Sequence, residues 1–136
     1  MNINEFKSEW IKNEIDESTV AFAQWFGEHL CDKQDGDRLG RMAMTTSQIR
    51  NVFGEVKRIQ AKGYSEVRAS FLLLRPKIAY AEARVKAKSG KSRIEDFRKV
   101  MDKAHLAVTN DKQFQNFVDF LEATLAYHKA AGGRDS

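Results

Sequence analysis

The stretch Thr45-Thr46-Ser47-Gln48-Ile49-Arg50-Asn51-Val52-Phe53-Gly54-Glu55-Val56-Lys57-Arg58-Ile59 decides how the rest of the chain is read. Ile49, Val52, Phe53, Val56 and Ile59 recur at steps of three and four. That spacing puts them on one face of a helix and not on alternating faces of a strand. Thr45 and Gln48 stand three apart, the spacing of a capping box, in which each side chain satisfies one free N–H at the helix start. Gly63 ends the pattern, because glycine takes the left-handed conformation that closes a helix without steric cost.

Working outward, the same period recurs nearly throughout. Downstream, Ser65 opens a helix through Val67, Phe71, Leu72 and Leu74. Pro76 has no N–H and crowds the turn before it, which predicts a break or kink near Leu74–Arg75. The pattern resumes through Ile78, Ala79, Ala81 and Val85 as far as Ser89-Gly90. Ser92 and Glu95 have the spacing of a second capping box, ahead of Ile94, Phe97, Met101, Ala104 and Val108. Asn110 caps a last helix with Phe114, Phe117, Val118, Leu121 and Leu125 on its apolar face; Gly132-Gly133 stop it and leave a short tail. Upstream, Ser18 is placed to cap a helix carrying Phe22, Ala23, Phe26 and Leu30. Phe6, Trp10 and Ile15 keep no clean period, so residues 1–17 read as a loosely attached arm. Residues 32–44 hold two glycines and read as the longest loop. The expectation is one all-α domain over residues 1–136: a compact bundle of five or six helices with a proline break near Arg75-Pro76.

Composition agrees. In 136 residues, 42% are hydrophobic and 31% charged, which suits a packed core and excludes a disordered polymer. Eight glycines and one proline are too few for the many turns of a β-sandwich. The single cysteine, Cys31, has no partner for an internal disulfide. There is no apolar run long enough to cross a membrane and no signal-peptide pattern, so the expected location is the cytoplasm.

The net charge of +4 hides a strong asymmetry. Residues 1–37 hold 3 Lys/Arg against 9 Asp/Glu, residues 38–99 hold 16 against 5, and residues 100–136 hold 4 against 5. A basic middle behind an acidic start suggests a surface for a polyanion. Solvated helix faces would look the same from charge alone. On the Thr45 helix, Arg50 and Lys57 are seven apart and share a face, with Gly54 between them and Arg58 beside them. After Pro76, Lys77, Arg84 and Lys88 follow one face, and Arg75 precedes the expected kink. Rows of this kind suit phosphates, because each cation can reach one oxygen without reading a base. Tyr64, beside Gly63, is the aromatic left open for base stacking.

No catalytic, metal or cofactor site is found in the sequence. His29, His105 and His128 are far apart, and each lies on a helix with an apolar stripe, as structural histidines do. His29 and Cys31, two apart on a helix, point in different directions and do not share a metal. Nucleophile elbows and glycine-rich phosphate loops are absent. The chain reads as a non-enzyme.

Three segments in series resemble a known family. They are Met44-Thr45-Thr46-Ser47-Gln48-Ile49-Arg50 with Lys57-Arg58; Leu73-Leu74-Arg75-Pro76-Lys77-Ile78-Ala79-Tyr80-Ala81; and Glu122-Ala123 through Ala126-Tyr127-His128-Lys129, closing on Gly132-Gly133-Arg134-Asp135. Together, over roughly residues 40–136, they resemble the small subunit of the type III-A CRISPR effector, the Csm complex. Ala130-Ala131 departs from that pattern, which has aromatic residues after the lysine. The resemblance implies a helical, non-catalytic protein, several copies of which stack along a guide RNA–target RNA duplex in antiviral defence. Its implied partners are both RNAs, the backbone subunit, the large signature subunit and further copies of itself. The basic positions that match the family's motifs are Arg41, Arg50, Lys57, Arg58, Arg75, Lys77 and Arg84. A reading from a different class is a helical adaptor or scaffold docking an acidic protein partner.

Overall fold

The computed structural model describes residues 1–34 and 38–135. The predicted loop over 32–44 includes Asp35, Gly36 and Asp37, which lie outside the described residues. After a 3-10 turn at Ile3–Glu5 come α1 (Glu9–Lys12), α2 (Glu17–Leu30), α3 (Thr46–Lys62), α4 (Arg68–Leu72), α5 (Leu74–Ser89), α6 (Ile94–Leu106) and α7 (Asp111–Ala130). Six of these helices have five residues or more. Among the described residues there is no strand, only an isolated bridge between Lys33 and Leu39. The chain is an all-α bundle, as the periodicity predicts.

The core is centred on α2 against α7. Phe22 and Phe26 stack on Phe120, and Ala23, Leu30, Phe114, Phe117, Val118 and Leu121 are buried with them. The helices come close at Gly27: a Cβ there would stand 2.7 Å from the His128 backbone N and 2.8 Å from the Thr124 carbonyl oxygen. α3 lays Ile49, Val52, Val56 and Ile59 into the same core, and α6 adds Phe97, Val100, Met101 and Ala104. Lowering this apolar surface away from water is the main force holding the bundle.

The opening segment departs from expectation. Residues 1–17 are no loose arm: Ile11 has no exposure, and Phe6 and Trp10 are buried beside it. Phe6 packs 5.3 Å from Phe120 and 5.6 Å from Trp10, ring centre to ring centre. Asn116 of α7 donates to the carbonyl oxygens of Ile11 at 3.0 Å and Asn13 at 3.4 Å. A four-residue helix is too short to show a period, so its burial left no pattern in the sequence.

Three helix starts also differ. Ser65 does not open α4, which begins at Arg68 after Val67; its hydroxyl donates to Asp111 at 2.9 Å instead. Asp16, not Ser18, starts α2, accepting from the Thr19 N–H while Thr19 bonds back to the Asp16 N–H. Ser92 accepts from the Ile94 N–H at 3.2 Å, but Glu95 does not close the box. It turns outward to Lys99 at 3.3 Å and Lys86 at 3.4 Å, and these two cations hold its carboxyl below the usual range. The caps at Thr45 and Asn110 form as read.

The chain breaks at Leu73, between α4 and α5, so Arg75 follows the break and does not precede it. Pro76 is the third residue of α5, inside the first turn, where a missing N–H breaks no helical hydrogen bond.

Candidate nucleic-acid interface

α3 carries an open cationic strip. Its four buried apolar residues face the core, and helix geometry turns Arg50, Gly54 and Lys57 away from it. Arg50 and Lys57 are exposed, and neither forms a salt bridge among the described residues. The Lys57 ammonium lies 5.8 Å from the centre of the half-buried Phe53 ring. Arg58 is exposed and pairs with Glu55 at 3.2 Å. A Cβ built on Gly54 meets no atom of the described residues within 4 Å. Helix packing inside this molecule therefore gives no reason for the glycine.

The C-terminal tail fixes where this helix starts. The Thr46 N–H donates to the Arg134 carbonyl oxygen at 2.6 Å, and the Ser47 N–H to that of Asp135 at 3.2 Å. The tail thus occupies two N–H groups that a helix start would otherwise leave free. Asp135 pairs with Lys129 at 2.9 Å; that contact, with Arg50 nearby, holds its carboxyl below the usual range. His128 is fully buried beneath the tail and donates from Nε2 to the Met44 carbonyl oxygen at 2.7 Å. Burial pushes its pKa down, so it packs as a neutral ring.

The cations around Pro76 divide between two sides of α5. Lys77, Arg84 and Lys88 line an open groove of about 700 Å³ between α3 and α5. Its floor is apolar, with Val52, Ile78, Ala81 and Val85, and Gln48, Asn51 and Glu55 stand on the α3 side. Lys77 reaches Glu55 at 3.5 Å. The Arg84 guanidinium lies 5.8 Å from the centre of the exposed Tyr80 ring. Arg75 points the other way, toward α6, where its Nε is 3.5 Å from Asp102. Arg98 continues that ladder, 3.3 Å from Asp102 and 3.0 Å from the buried Glu82. Arg75 is therefore a member of an α5–α6 ion ladder and is not on the groove with Lys77.

Arg41 stands apart from all of these, exposed in a hollow with Arg38, Lys91 and Asp32. Of the seven basic positions, then, α3 brings together Arg50, Lys57 and Arg58, the groove brings together Lys77 and Arg84, and Arg75 and Arg41 lie elsewhere.

Tyr64 is not available for base stacking. It is buried, its ring 5.3 Å from Phe114 and 5.2 Å from Phe71. The open aromatic on the basic surface is Tyr80, three residues after Lys77 and four before Arg84. That spacing puts it on the cationic face and was a signal present in the sequence.

The histidines have structural partners. His105 is buried, stacked 3.9 Å from Phe71, and donates to the Phe71 carbonyl oxygen at 2.7 Å. Its burial lowers its pKa. His29 bonds Asp96 at 2.7 Å and stacks on Trp25. Among the described residues, no group of three His, Cys, Asp or Glu is placed to hold a metal. Nor is any helix long and apolar enough to cross a membrane.

A family model, Csm2 Type III-A, matches residues 29–134. The match takes in α3 to α7 whole and begins at the end of α2, upstream of the motifs noted in the sequence. No curated protein and no solved structure matches the chain. With its helical architecture and a family match over most of its length, the chain belongs to the Csm2 family, the small subunit of the type III-A Csm complex, a CRISPR effector with further subunits.

Proposed function

We propose that this chain is a non-catalytic subunit that binds RNA within a cytoplasmic type III-A ribonucleoprotein. Its copies stack along the guide RNA–target RNA duplex, beside the backbone and large signature subunits, in antiviral defence. The observation that carries this reading is the outer strip of α3, where Arg50 and Lys57 flank an unobstructed Gly54 with no salt bridge among the described residues. Free cations on a rigid helix attract phosphates by releasing the counterions condensed on RNA, whatever the base sequence. Gly54 lets a backbone come closer to α3 than any side chain would allow. The acidic start of the chain and its basic middle give repeated copies complementary charge for a head-to-tail contact.

Ultraviolet crosslinking of the assembled complex, followed by peptide mapping, tests the face directly. Crosslinks to guide or target RNA are expected on peptides from residues 45–62 and 74–91. Crosslinks confined to α2 and α7 would overturn the assignment.

A further inference from the structure

We propose that Tyr80 is a stacking platform for an unpaired nucleobase, with Arg84 and Lys77 holding the phosphates on either side of it. This rests on the RNA-binding reading above and adds a base contact to what is otherwise a phosphate surface.

Tyr80 is 66% exposed, the most exposed large hydrophobic residue among those described. It makes none of the ring contacts that build the core, and its hydroxyl has no hydrogen-bond partner among the described residues. An exposed apolar residue alone means little. The surroundings of Tyr80 are more particular. On a helix its neighbours are Pro76, Lys77, Ala83 and Arg84. Pro76 and Ala83 are short, so that flank leaves the ring uncovered, and the other flank carries Arg84, which has no salt bridge among the described residues, and Lys77, whose contact with Glu55 is long at 3.5 Å. The Arg84 guanidinium lies over the ring on that second flank, 5.8 Å from its centre, which tethers the ring and leaves the opposite face for a base.

Aromatic rings between cations are how proteins hold single-stranded nucleic acid. Every base has a π-face, so stacking adds affinity without choosing a sequence, while neighbouring cations track the backbone. Tyrosine and arginine are also common at the centres of protein interfaces, but such centres are ringed by contacts that exclude water. Around Tyr80 the ring of neighbours is short or charged, which favours the base.

The test uses the full-length chain and a single-stranded RNA containing 2-aminopurine, whose fluorescence is quenched when the base stacks. Wild-type protein and Tyr80→Phe should quench it. Tyr80→Ala and Tyr80→Leu should lose the quenching and bind about tenfold more weakly, with an unchanged salt slope, because stacking releases no counterions. Circular dichroism on each variant checks that the helices are intact. Wild-type affinity and quenching in Tyr80→Ala would overturn the stacking role, and the phosphate face would still stand if Arg50→Ala/Lys57→Ala lowers the salt slope. Absence of salt-sensitive RNA binding by the wild-type chain would overturn both. A Tyr80→Ala chain that binds RNA normally but fails to join the assembled complex would make Tyr80 a protein contact and overturn the base contact.

Discussion

Gly54 is the residue at which stability and binding pull apart. It sits inside a 17-residue helix, where glycine costs about 1 kcal/mol relative to alanine. Among the described residues, nothing occupies the space a Cβ would take. Gly54→Ala should therefore stabilise the fold by about 1 kcal/mol in urea unfolding, and should weaken RNA association by the assembled complex. A gain in stability with RNA binding unchanged would remove the close approach from the account. At this scale the sequence was partly legible. The shared face of Arg50 and Lys57 followed from their spacing, whereas the burial of Tyr64 depends on Phe71 and Phe114, which only the fold brings together. Arg75 and Lys77 are two residues apart and so point to different sides of one helix, but only the position of Asp102 shows where Arg75 goes.

At the scale of elements, the α2–α7 contact sets the position of the other helices. The Gly27 position is bounded by backbone atoms of α7, which cannot rotate aside as a side chain can. Gly27→Ala should destabilise the protein by about 1–3 kcal/mol, read as a lower urea midpoint with little change in slope. A loss under about 0.5 kcal/mol would show that α7 can slide without cost. Long helices with clean stripes, α3, α6 and α7, were legible because burial of one face leaves a period. The one-turn α1 was not, since four residues cannot display one. The Ser92–Glu95 box failed for a different reason: Glu95 is drawn to Lys86 and Lys99, side chains whose positions depend on how α5 and α6 pack.

Across the whole molecule, the division of charge along the chain becomes a division of surfaces. The basic middle forms an open strip on α3, a cation-rimmed groove beside α5 and a ladder into α6, three settings with different expected roles. The ladder cations Arg75 and Arg98 are paired with Asp102 and Glu82 across α5 and α6. Family membership places the chain in a multi-subunit complex but does not distinguish among these surfaces. The proposed role of the α3 strip is to bind RNA phosphates. The most direct test is the salt dependence of RNA binding by the complex, assembled with wild-type chain or with Arg50→Ala/Lys57→Ala, on two unrelated RNAs. If both residues hold phosphates, the magnitude of the log–log slope should fall by about 1.4, from about 0.7 per phosphate of single-stranded RNA, and equally for both RNAs. An unchanged slope would contradict the account.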